Sequence, residues 1–122
     1  MKKQTEIEKE AFAFALQIFN LINTFPKEEK ALFGHELARE AVKLSSGILT
    51  FIYLNELNAA FDFLNNAFSA TFRVEIYLLA SKDLHFVESI DRPMKSLLNL
   101  RQRLDKMLNR LPEDDVLEKC EV

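Results

Sequence analysis

The chain has 122 residues, 48% of them apolar and 29% charged, with eleven phenylalanines and no tryptophan. That is long enough for one domain with its own core, and too apolar for a disordered chain. Two glycines and three prolines cannot supply the turn that a β-sandwich or barrel needs about every ten residues, so composition alone favours an all-α fold. The net charge is −3, but residues 113–122, EDDVLEKCEV, carry −4 of it and leave +1 for residues 1–112. The single Cys120 excludes an intramolecular disulfide and reads as a thiol of no function. Neither an apolar leader nor an uncharged apolar window of about 18 residues is visible, so a cytoplasmic location without membrane contact is expected.

The first helix is expected from about Thr5 to Asn23, where Ile7, Ala11, Phe14, Ile18 and Ile22 recur at helical spacing. Phe12, Leu16 and Phe19 form a second apolar set on another side of the same helix. One stripe suffices for a core contact; two imply cover from two directions, and so an oligomer interface at Phe12, Leu16 and Phe19.

In the stretch NTFPKEEKALFGHEL that follows, Pro26 suits an early helical position, Glu28 and Glu29 complement the positive end of the helix dipole, and Phe25 can staple back onto the first turns. The second helix is expected from about Lys27 to Ile52, with Phe33, Leu37, Ala41, Leu44, Ile48 and Phe51 inward and Gly34 marking a close helix approach. Asn55 reads as the cap of a third helix, about Glu56 to Lys82, with Leu57, Phe61, Leu64, Phe68 and Thr71 inward. SIDRP, Ser89 to Pro93, is the last turn. A fourth helix follows from about Arg92 to Leu111, with Leu97, Leu100, Leu104, Leu108 and Leu111 inward and Pro112 as its stop. Four long helices with short links predict an antiparallel up-down four-helix bundle over residues 1–112, followed by an acidic tail, 113–122, expected to be disordered.

Catalytic signatures of helical bundles are missing. A di-iron site needs Glu-x-x-His, but Glu36 is followed at that spacing by Arg39 and Glu6 by Lys9. Covalent haem attachment needs two cysteines. Helical ribonucleases of the HEPN type place an arginine four to six residues before a histidine, and neither Arg39 nor Arg73 has one in reach. His35 reads as an ordinary helix-start residue and His85 as a cap for the end of the third helix. With no glycine-rich phosphate loop either, the chain is expected to be no enzyme and to carry no metal or cofactor.

The fourth helix carries the one feature above background. Arg92, Lys95, Asn99, Arg103, Lys106 and Arg110 follow at intervals of 3, 4, 4, 3 and 4, which keeps them on one face opposite the leucines. The five cations span about 27 Å at the helical rise. Asp105 is the only acid in the segment, whereas an ordinary solvated face mixes both signs. Such a stripe suits a phosphate backbone.

Three runs carry a family resemblance: INTFPKEEKALFGHEL (residues 22–37), FRVEIYLLASKDLHFV (72–87) and LDKMLNRL (104–111). The resemblance covers roughly residues 7–111. The chain resembles the accessory variability determinant (Avd) proteins of diversity-generating retroelements, which are similar in turn to the four-helix-bundle proteins encoded in intervening sequences of bacterial large-subunit ribosomal RNA genes. The most specific part is the Phe25-Pro26 turn with Lys27, Lys30, Leu32 and Gly34; Arg73 with the segment from Leu78 to Leu84 is next. The resemblance implies a ring-shaped homopentamer of four-helix bundles acting as a non-catalytic adaptor that binds a reverse transcriptase and its template RNA. It adds Lys27, Lys30 and Arg73 to the stripe as candidate nucleic-acid contacts. Where the intervening-sequence relatives carry Asn-Ile-Ala-Glu-Gly, this chain reads GILTF, Gly47 to Phe51, which favours the Avd branch. Avd proteins are strongly basic and this chain is not. A protein-only scaffold, and an intervening-sequence protein, are the alternative readings.

Overall fold

The structure, a computed structural model, describes residues 5–54 and 57–110, with Leu57 and Asn58 described by backbone alone. Among these residues the chain is all-helical. Helix α1 is Glu6–Asn23. Helix α2 covers residues 27–53 in three consecutive pieces: an α-turn Lys27–Glu29, a π-helical segment Lys30–Gly34 and the α-helix His35–Tyr53. Helix α3 is Leu57–Asp83 and helix α4 is Asp91–Arg110. The main packing pairs are α1 with α2, α2 with α3, α3 with α4, and α4 with α1, so the diagonal pairs contribute little. The result is a four-sided bundle around one core of Phe14, Ile18, Leu37, Leu44, Ile48, Leu64, Leu78, Leu97 and Leu104, all fully buried. No helix among the described residues is long and apolar enough to cross a membrane. The sequence expectations for Asn55, Leu111, Pro112, Cys120 and the acidic tail fall outside the described residues, as does that for the side chain of Leu57.

Each helix end follows from local chemistry. Thr5 caps α1 in a reciprocal capping box: the Glu8 N–H donates to the Thr5 hydroxyl and the Thr5 N–H to Glu8 Oε1. The other carboxylate oxygen of Glu8 accepts from the Tyr53 hydroxyl at 3.1 Å, tying the start of α1 to the end of α2. That bond, then burial and the charge of Glu8, raise the Tyr53 phenol above its ordinary 10.0. The link is therefore intact below pH 10 and is lost as pH rises through the raised value. At the α1–α2 turn, Pro26 serves as the cap rather than as the first helical residue, and its carbonyl accepts from Glu29 and Lys30.

Gly34 marks a close approach, as its position inside a helix suggests: a Cβ there would lie 2.7 Å from Ile22 Cγ2. The π segment that ends on it inserts extra backbone into the turn. There Phe33 joins a cluster with the buried Phe25 and the half-buried Tyr77 and Phe86, at centroid distances of 5.2–6.0 Å, while Leu32 stays exposed. This cluster closes one end of the bundle and holds the α1–α2 turn against the α3–α4 link.

Two expectations are corrected. The inward face of α3 is not built on Phe61 and Phe68, which are only half-buried, but on Ala60, Leu64, Ala67, Ala70, Thr71, Val74 and Leu78. The reason is the narrow gap to α2: a Cβ on Gly47 would sit 3.0 Å from the Cβ of Ala67 and 3.2 Å from the carbonyl oxygen of Phe63. Only small residues fit there. His85, expected to cap carbonyls with its ring, uses its backbone instead. It adopts φ 63°, with its N–H on Lys82 O and the Phe86 N–H on Ser81 O, the Schellman arrangement that normally takes glycine.

Two substitutions test these points by chemical denaturation. Gly47→Ala should destabilise by about 1 kcal/mol, because overpacking α2 against α3 outweighs the gain in helix propensity. His85→Gly should stabilise by about 1 kcal/mol by removing the left-handed strain.

Candidate nucleic-acid interface

Helix α4 is amphipathic along its whole length. Leu97, Leu100 and Leu104 are fully buried, Pro93 is buried in the first turn, and Leu108 is half-buried. The residues three and four apart on the opposite side, Arg92, Lys95, Asn99, Arg103, Lys106 and Arg110, are all exposed. The expected stripe therefore exists as one outward row. Among the described residues, Arg92, Lys95, Lys106 and Arg110 form no ion pair.

Arg103 is the exception. Its Nε lies 2.8 Å from Glu10 Oε2 on α1, an ion pair without the alignment of a hydrogen bond. Asn99, Gln102, Arg103, Lys106, Met107 and Arg110 form one wall of an open cleft of about 690 Å³, and Thr5, Glu6, Ile7 and Glu10 form the other. The lower half of the stripe thus faces two carboxylates of α1 across a groove. Its field is weaker than the α4 sequence alone suggests.

The further candidates fall in two places. Lys27 and Lys30 are exposed at the start of α2, at the end of the bundle where Phe25 meets Phe86 at 5.5 Å and where Arg92 begins α4. They share that end with Glu28, Glu29, Asp83, Glu88 and Asp91, so the surface there mixes both signs. Arg73 does not belong to it. It lies on the α2–α3 seam, across the bundle from the α1–α4 cleft, with its Nε 2.7 Å from Glu40 Oε1. Glu40 is buried, and Lys43 approaches its other oxygen at 3.7 Å. Arg73 thus neutralises a buried carboxylate.

Arg101 interrupts the pattern of α4 and has a structural task. It reaches α3, donating from Nε to the Thr71 hydroxyl at 2.9 Å, and from Nη2 to the Thr71 carbonyl at 3.0 Å and to the Glu75 carboxylate. Its guanidinium stacks 4.0 Å above the Phe72 ring. Its place in the leucine row, four residues after Leu97 and three before Leu104, was the signal available in the sequence: a cation on a buried face needs a partner. The Thr-x-x-Glu spacing of Thr5 and Glu8 is a capping-box signal; the partners of Glu10 and Glu40 carry none.

No group of histidine, cysteine or acidic side chains able to hold a metal occurs among the described residues. His35 and His85 are both exposed and lie on different helices' ends.

The two kinds of arginine should separate in urea unfolding. Arg101→Ala should cost about 2 kcal/mol, since it leaves Glu75 and the Thr71 carbonyl without their charged donor, and Arg101→Lys should recover little because an ammonium cannot reproduce the fork. Lys106→Ala should stay within about 0.5 kcal/mol.

Compared with known proteins, the chain matches no protein-family model and no curated sequence.

Proposed function

We propose that this chain is a non-catalytic accessory protein of a diversity-generating retroelement. In this reading the helices form an antiparallel up-down bundle, five copies close into a ring through Phe12, Leu16 and Phe19, and the ring acts in the cytoplasm as an adaptor for a reverse transcriptase and its template RNA. The chemistry of DNA synthesis belongs to the polymerase. The observation that carries the RNA part is the outward row of cations on α4, four of them without an ion-pair partner among the described residues. Lys27 and Lys30, exposed at the start of α2, are added as further contacts by the family resemblance. The assembly part is supported by the exposure of Phe12, Leu16 and Phe19, at 63%, 44% and 38%, on a helix whose opposite side is already in the core.

The Arg103–Glu10 pair and the net charge of −3 favour one second reading, a protein-only oligomeric scaffold whose α4 face docks an acidic partner. RNA binding distinguishes the two. Phosphate contacts release counterions, so the logarithm of affinity should fall with that of salt by about 0.7 per contact on a single strand. For the adaptor, Lys106→Glu with Arg110→Glu should weaken RNA binding about tenfold or more and lower the salt slope by roughly 1 to 2. Deleting residues 113–122 should strengthen it. A flat salt response, with no RNA bound at low salt by either form, would favour the scaffold.

A further inference from the structure

Nine of the large apolar side chains left exposed are grouped on two sides of the bundle. Glu8 marks the edge where α1 meets α2, through the Tyr53 hydroxyl. Phe12, Leu16 and Phe19 follow Glu8 by four, eight and eleven residues, so they stand in the same row and border that seam. On α2, the Ser45 hydroxyl donates to the Ala11 carbonyl and marks the facing edge, with Val42 and Leu49 beside it. These five side chains are 38–63% exposed. Arg101 marks the corresponding edge between α3 and α4. Phe72, under its guanidinium, begins a row continued by Ile76 and Leu79, and Leu98 precedes Arg101 by one turn. These four are 45–65% exposed.

The α1–α2 and α3–α4 sides are opposite sides of the bundle, because the helices pack in cyclic order. The other two sides are charged. The α2–α3 seam holds Glu40, Arg73 and Lys43, and the α1–α4 seam holds Glu10 and Arg103 with Lys106 and Arg110 nearby. These two sides are richer in charge than the first two, although Phe63 is exposed beside Arg73 on the α2–α3 side.

The α1 row of the first side has the composition of an interface centre, where charge is depleted. Residues 11–23, which hold Phe12, Leu16 and Phe19, contain no charged side chain. The Arg101 and Glu75 charges at the edge of the second side are paired with each other. Each side exposes several hundred Å² of apolar surface, the size at which patches mark interaction sites. A two-helix face is about 27 Å long and about 20 Å wide, comparable with the footprint of roughly 800 Å² per partner in a stable interface.

We infer that the α1–α2 side of one copy of this chain packs on the α3–α4 side of the next. This rests on the self-assembly reading above and supplies the surface that Phe12, Leu16 and Phe19 meet: Phe72, Ile76, Leu79 and Leu98. A two-fold dimer would cover one apolar side and leave the other in water. One head-to-tail contact, repeated, covers both and closes into a ring when the rotation allows. The charged sides then form the two walls of the ring, with the α4 cations on one wall and Arg73 on the other.

The test uses the full chain with one charge on each side in turn: Leu16→Asp and Ile76→Asp, both at exposed positions, with helix content checked by circular dichroism. Phe19→Lys and Leu79→Lys serve if either loses helix. Sedimentation should show an oligomer for the unsubstituted chain and a monomer for each variant alone. The two variants mixed should give a one-to-one dimer and nothing larger, because each supplies the side that the other lacks. A variant that still self-associates, or a mixture with no dimer at the highest soluble concentration, overturns the head-to-tail contact. An unsubstituted monomer overturns both this contact and the assembly reading. An oligomer of a number other than five, with the mixed dimer present, removes the pentamer and keeps the contact.

Discussion

The close approach of α2 and α3 sets much of what lies elsewhere in the molecule. Gly47 faces Ala67 with no room for another methyl, and Ala60 and Ala70 continue the small-residue face of α3. Once small residues occupy that face, the phenylalanines of α3 have no place in the centre. Phe61 and Phe68 move to its edges, and Phe63 and Phe72 stand partly in solvent. A helix that gave its aromatics to the core would present a polar outer face. This one instead exports apolar surface to its flank, and that surplus is what points outward from the bundle.

The charges complement this arrangement. Arg101 reaches from α4 onto Thr71 and Glu75 and covers the ring of Phe72, so a cation in a leucine row becomes the fastener of the α3–α4 seam. Glu40 is buried at the α2–α3 seam and Arg73 answers it. Ion pairs of this kind contribute little net stability when exposed, but a buried carboxylate without its partner is costly. They therefore define which helices can be neighbours more than how strongly they hold. The cations left over, at Arg92, Lys95, Lys106 and Arg110, are those that no seam uses, and they share one outward row.

Much of this was legible residue by residue. The four helices, the Phe25-Pro26 turn, the close approach at Gly34 and the outward row on α4 all depend on spacing within a single helix or turn, and spacing is what a sequence displays. The face of α3 was misread because bulk and hydrophobicity rank phenylalanine as core, while the width of the gap to α2 ranks alanine first. The resemblance places Arg73 among the nucleic-acid contacts, and nothing near it in the sequence points to its partner, Glu40, which lies 33 residues away on another helix. Arg103 was counted among free cations for the same reason: Glu10 belongs to α1.

By itself, then, the sequence determined an all-helical chain, the approximate limits of its helices, the apolar rows of the first, second and fourth and the cationic face of the fourth. These are properties of one helix at a time, fixed by a period of 3.6 residues and by the chemistry of its ends. The tertiary structure alone decided which charges are answered and which are free, and which aromatics are core and which are flank. Those are properties of helix pairs: they depend on the distance and rotation between neighbours, which no single helix encodes.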